Sequence, residues 1–141
     1  MPKLSQPLCI VSWVCRIAAA IILLQTLYFK FTAAPESVYI FTTVHMEPWG
    51  RIGSGIAELI ASILFFVPGL AWCGAGLALG VMGGAIMSHL TVLGIDVQGD
   101  HGELFILALI VAVCSAVVLF LYRGDIPFIG PKLVKRVSPT D

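Results

Sequence analysis

Charge is what this sequence has least of. Lys, Arg, Asp and Glu make up 11% of the 141 residues and hydrophobic residues 59%, where a soluble domain averages about 25% and about 45–50%. That composition excludes a water-soluble globule, and it excludes disorder as well. Eight basic residues balance eight acidic ones, so the formal net charge is zero and no nucleic-acid partner is expected. The cysteines at positions 9, 15, 73 and 114 contain no C-x-x-C, which argues against a quinone-coupled thiol–disulfide oxidoreductase. Cys73 and Cys114 read as small hydrophobes within a membrane. Phosphate-binding and dinucleotide-binding glycine loops, G-x-S-x-G and H-E-x-x-H are all missing. His45, His89, His101, Asp96, Asp100 and Glu103 match no ligand spacing, so no metal is expected, and no core histidines offer themselves for a bis-histidine haem.

What the chain does have is apolar runs of membrane length. Residues 8–29, 48–67, 70–90 and 104–122 each approach the roughly 20 residues that a helix needs to cross the hydrocarbon core. Pro48 and Trp49 suit a helix start at an interface. Pro68-Gly69 is so short a break that the second and third runs form an antiparallel hairpin. Residues 34–46, opening on Pro35-Glu36 and carrying Val38, Tyr39, Ile40, Phe41 and Val44, read as a short helix lying on the membrane. The sequence thus predicts an all-α fold: one integral membrane domain over residues 1–141, a four-transmembrane-helix bundle with a short interfacial helix between spans one and two. Residues 123–141 form a cytoplasmic tail.

Four spans put both termini on one side. Lys3, Arg123, Lys132, Lys135 and Arg136 gather there, against Lys30 and Arg51 on the other. The positive-inside rule makes the terminal side cytoplasmic, in an inner or plasma membrane. The first run is longer than a signal peptide, lacks a small-x-small cleavage site and contains Arg16, so it reads as a retained span. Gly76, Gly80, Gly84 and Ser88 recur every four residues in the third run, which predicts a small-residue ridge packed inside the bundle.

Among the ionisable residues within the apolar runs or at their edges, Arg16, Lys30 and Glu58 stand out. Such residues mark function by default. A guanidinium does not lose its proton, so Arg16 needs an acceptor, and Glu58 is the candidate. Counted inward from residues 29 and 48, the two differ in depth by about 4.5 Å. If span two begins nearer Ile52, Glu58 turns instead to Gln25, Lys30 or water. Arg51, Ser54, Glu58 and Ser62 form a polar stripe at spacings of three and four, and His89 closes span three on the side of Lys30. Arg16, Glu58, Lys30, His89 and Gln25 are the candidate ligand-binding residues, for a small anion or a quinone headgroup.

An Arg early in span one (Arg16), a Lys closing it (Lys30), a Glu inside span two within Gly55-Ile56-Ala57-Glu58-Leu59 and a His ending span three (His89) resemble the DoxX-like family of small four-helix integral membrane proteins. The resemblance covers residues 10–122; Tyr28-Phe29 stand where the family commonly has a small residue before the Lys. It implies a link with redox metabolism, since the family takes its name from a membrane subunit of a thiosulfate:quinone oxidoreductase and other members are linked with thiol-oxidative-stress complexes. The implied cofactor is a quinone, not covalently bound, and the implied partners are the lipid bilayer and an oxidoreductase. The larger grouping also holds receptor-assembly chaperones and cargo receptors, which perform no chemistry. Two functions follow as expectations: a quinone- or anion-binding accessory subunit, or a non-enzymatic assembly or scaffold protein with a structural Arg–Glu pair. A transporter is disfavoured by the lack of helices broken at mid-span.

Overall fold

The structure, a computed structural model, describes residues 4–128, and these are helical with no strand among them. Five α-helices follow one another: α1 Gln6–Phe31, α2 Pro35–Thr43, α3 Trp49–Leu64, α4 Ala71–Ser88 and α5 Glu103–Leu121. Helix α4 continues through a π-helical turn, His89–Leu93, and a 3-10 turn, Arg123–Asp125, follows α5. Three helices are long and apolar enough to cross a membrane: Gln6–Phe31, Ala71–Leu93 and Glu103–Leu121. Helix α3, at 16 residues, reaches about 24 Å at the helical rise, short of a hydrocarbon core of roughly 30 Å.

The sequence placed the end of that run at Val67; the helix stops at Leu64. Pro68 brings no N–H and crowds the residue before it out of helical geometry, and Gly69 supplies the left-handed φ of +80° that turns the chain into α4. Pro35 opens α2 in its first turn, where its missing N–H is harmless, and Glu36 adds charge of the sign that a helix start favours.

The long helices form a closed ring of neighbours, α1 beside α3, α3 beside α4, α4 beside α5 and α5 beside α1. One end of the bundle, the terminal end, holds the start of α1, the α3–α4 turn and the end of α5. The far end holds α2 and the loop 94–102. Small side chains fill the centre: Ala19, Ala61, Ala71, Ala75 and Ala78 are fully buried, with Leu23, Phe65, Val111 and Val118 among them. Large apolar side chains point outward instead, Ile10, Val14, Ile21, Ile63, Leu90 and Val113 each being more than half exposed. A small-residue core under a large-residue surface is the arrangement that hydrocarbon surroundings favour, where close backbone packing replaces the hydrophobic effect.

The ridge on α4 corrects the sequence reading. A Cβ on Gly76, Gly80 or Gly84 would meet nothing within 4 Å, whereas one on Gly74 would lie 2.8 Å from the Ala61 carbonyl oxygen and 2.9 Å from the Phe65 nitrogen. The face that packs is therefore Ala71, Gly74, Ala75, Ala78 and Met82. Helix α4 is small-sided nearly all round, so periodicity alone did not choose between its faces. Of the cations behind the orientation expectation, Lys3, Lys132, Lys135 and Arg136 lie outside the described residues.

Candidate functional site

Ionisable residues collect at two levels of the bundle. At the far end the Glu58 side chain, 1% exposed, receives the Lys30 ammonium on Oε1 at 2.5 Å and the Thr26 hydroxyl on Oε2 at 3.0 Å. Lys30 also donates to Ser54 Oγ at 3.2 Å. Arg51, one turn earlier on α3, pairs with Glu47 through Nε and Nη2 at 2.9 Å and donates from Nη1 to the Lys30 carbonyl. Two cations and two carboxylates thus interlock with no charge left over. Their joint effect is to tie the end of α1 to α3.

The predicted Arg16–Glu58 pair is not formed, and helix geometry explains why. Side chains lean toward the N-terminus of their own helix. Helices α1 and α3 are antiparallel, so Arg16 leans to the terminal end and Glu58 to the far end, away from each other. Lys30 leans back into the bundle and meets Glu58. The lesser alternative, in which Glu58 turns to Lys30, is the one the chain adopts.

Arg16 instead reaches the C-terminal end of α3. It is 4% exposed, donates from Nη1 to the Phe65 carbonyl at 3.0 Å, and lies 4.0 Å from the Trp13 ring centre and 5.5 Å from that of Tyr122. Its Nε is buried without a hydrogen-bond partner, and no carboxylate among the described residues forms an ion pair with it. Beside it Ser12 Oγ and the Tyr122 hydroxyl are 2.8 Å apart. The Ser115 hydroxyl, two turns before Tyr122 on α5, is also buried and unpartnered. This terminal-end cluster thus carries a whole positive charge and unfilled hydrogen-bonding capacity, where the far-end cluster carries neither.

The remaining candidates fall elsewhere. Gln25 is exposed on the outside of α1, and its neighbour Thr26 takes the place foreseen for it. His89 is buried, with Nδ1 2.9 Å from the Gly94 carbonyl and its ring edge-on to Phe105 at 5.5 Å. It holds the π-helical turn and the loop after it, and it makes no hydrogen bond or ring contact with Lys30 or Glu58. In that loop burial pushes the Asp100 carboxyl up, but N–H donors from Val97, Gly102 and Leu104 and the nearby His89 outweigh it, leaving the carboxyl below its ordinary range. Among the described residues no group of three His, Cys, Asp or Glu could hold a metal ion.

Sequence reasoning missed Trp13, Ser12, Tyr122 and the Phe65 carbonyl. One signal for part of this was present: Ser12 and Arg16 stand four apart, on one face of a helix otherwise apolar there. Between α1 and α3, next to the Arg16 cluster, runs a groove of about 420 Å³ lined by Leu24, Ser62, Ile63, Phe66 and Val67. No family model, no curated protein and no solved structure matches the chain.

Proposed function

We propose that the chain is a four-span membrane protein, similar to the DoxX-like family, that serves a membrane redox system as an accessory subunit and binds a quinone headgroup or small anion at Arg16. Helix α3 is span two, completed by the turn to Pro68 and bringing the spans to four, and α2 lies along the opposite interface, with both termini cytoplasmic. The observation that carries this reading is the Arg16 guanidinium, buried, permanently charged and with Nε unfilled. Such a group is costly in a bilayer unless something answers it. Arg16 would supply fixed charge and the open donor, Tyr122 and Ser12 a hydroxyl pair beside it, and Trp13 a ring over the bound head. Lys30 and Glu58 support the site from a distance by fixing the register of α1 on α3.

The test is titration of decylubiquinone into the protein in nanodiscs, followed by Trp13 fluorescence in a Trp49→Phe, Trp72→Phe background. Quenching should saturate in that background, weaken about tenfold or more in Arg16→Met, as expected for loss of a charged hydrogen bond, and persist in Glu58→Gln. Equal affinity with and without Arg16 would sink the proposal.

A second reading, the assembly or scaffold protein, has its own observation: the far-end Lys30–Glu58 pair is supported by hydrogen bonds from Thr26 to Glu58 and from Lys30 to Ser54. The structural pair is then Lys30–Glu58 rather than Arg16–Glu58. Cells carrying Lys30→Met with Glu58→Leu should keep full function on this reading, and failure despite normal folding would count against it.

A further inference from the structure

Taking Arg16 as a ligand site, we infer that its ligand is a single-chain acidic amphiphile, a long-chain carboxylate whose head neutralises Arg16 and whose tail lies in the groove between α1 and α3. Three observations converge on that class. The first is charge. Glu58 is committed to Lys30 and Glu47 to Arg51, and the oxygens of Asp100 accept from backbone N–H groups. Among the described residues Arg16 meets only a carbonyl and two rings. A quinone carbonyl can accept from Nε but leaves that positive charge standing, whereas a carboxylate both cancels the charge and fills Nε with a charge-assisted hydrogen bond.

The second observation is the groove wall. Leu24, Ile63, Phe66 and Val67 are apolar, and the hydroxyl of the remaining lining residue, Ser62, is spent on the Glu58 carbonyl at 2.8 Å. A surface with no polar group to offer suits a hydrocarbon chain, and an inorganic anion would have no use for it. The third is continuity. Phe66 lines the groove and packs tilted against Trp13 at 6.1 Å, and Trp13 lies over the Arg16 guanidinium. Head site and groove therefore meet at the Trp13–Phe66 pair. Leu24 is eight residues beyond Arg16 on α1, so a chain leaving the head site descends about 12 Å toward the middle of the bundle. A groove of about 420 Å³ beside a ring-covered guanidinium suits one chain with a compact head.

The experiment compares cis-parinaric acid with its methyl ester on the whole protein in phosphatidylcholine nanodiscs, at a pH where the acid is ionised. The acid should bind about tenfold tighter than the ester, the difference expected of one charge-assisted contact. That preference should vanish in Arg16→Met. Ile63→Trp, which crowds the groove and leaves Arg16 intact, should weaken acid and ester alike, so the proposal does not depend on one variant folding. Equal binding of acid and ester to the wild type overturns it. So does displacement of the acid by phosphatidylglycerol in the disc, which would give the site to a phospholipid. Should decylubiquinone bind through Arg16 while the acid shows no advantage, the amphiphile fails and the Arg16 site stands; if neither probe feels Arg16→Met, both fall.

Discussion

The two polar clusters use similar residue types to opposite ends. At the far end Lys30, Glu58, Arg51 and Glu47 cancel one another and every donor has an acceptor. At the terminal end Arg16 sits among rings, with one nitrogen unused and no ion pair to a carboxylate among the described residues. Balanced charge inside a bundle fixes register, because breaking it exposes an uncompensated ion. Unbalanced charge fixes little by itself and is available for something else. The presence of buried charge is thus a poorer guide to a binding site than whether that charge is already answered.

The largest effect that would test this contrast is removal of one half of the far-end pair. Glu58→Leu leaves the Lys30 ammonium with Ser54 Oγ and the Phe41 ring, and loss of one partner of a buried pair costs about 3–5 kcal/mol. Replacing both, Lys30→Met with Glu58→Leu, should recover most of that stability. Reversible unfolding of the purified protein in mixed micelles reads both variants. A double variant as unstable as the single one would mean that the pair does more than balance charge.

A smaller effect acts at the terminal end through the backbone. Gly74 lets α4 approach the very stretch of α3 whose carbonyl holds Arg16, and a Cβ there would crowd both Ala61 and Phe65. Gly74→Ala should cost about 1–3 kcal/mol as an overpacked contact. It should also shift Trp13 fluorescence by moving Phe65. Gly80→Ala, facing open space, should be neutral or slightly stabilising, since alanine suits a helix better than glycine.

How much of this the sequence revealed differs between the clusters for a physical reason. Apolar run lengths disclosed the long helices, and Pro35 and Pro68 disclosed where the chain turns. Arg16, Lys30 and Glu58 stood out because apolar surroundings make any ion conspicuous. Depth counting failed at pairing them, because it treated each residue as a point on an axis. The lean of each side chain toward its own N-terminus separates Arg16 from Glu58 and joins Lys30 to it. Tyr122 and the Phe65 carbonyl were invisible, since a backbone acceptor freed at a helix end carries no mark in composition. The inner face of α4 was equally hidden, because glycine and alanine fall on more than one face of the helix.

The far end is self-contained in its loop as well. Asp100 Oδ1 accepts from the N–H of Val97 and Gly102 at 2.9 Å and Oδ2 from that of Leu104 at 3.1 Å, closing the start of α5. Asp100→Ala should cost about 1 kcal/mol, the usual value of a helix cap. Because the folded carboxyl lies below its ordinary range, its ionised form stabilises the fold. That contribution is complete above the ordinary carboxylate range and disappears as the pH falls through the lowered value. The gap between wild type and Asp100→Ala should therefore narrow on acidification, and a constant gap would show that the charge contributes nothing.

The smallest effect belongs to the most conspicuous residue. Arg16→Met in ligand-free protein removes one hydrogen bond to the Phe65 carbonyl and two ring contacts, while it relieves the burial of an unanswered cation. The two changes oppose each other, so unfolding should shift by less than about 1 kcal/mol in either direction, as when buried ions give way to apolar groups of similar size. Saturating ligand separates the variants. At a hundred times the wild-type dissociation constant a bound molecule stabilises native wild type by about 2.7 kcal/mol, whereas Arg16→Met, binding about tenfold more weakly, should gain only about 1.4 kcal/mol. A large loss of stability in the ligand-free variant would place Arg16 with the far-end pair as architecture, and the contrast between the two ends would disappear.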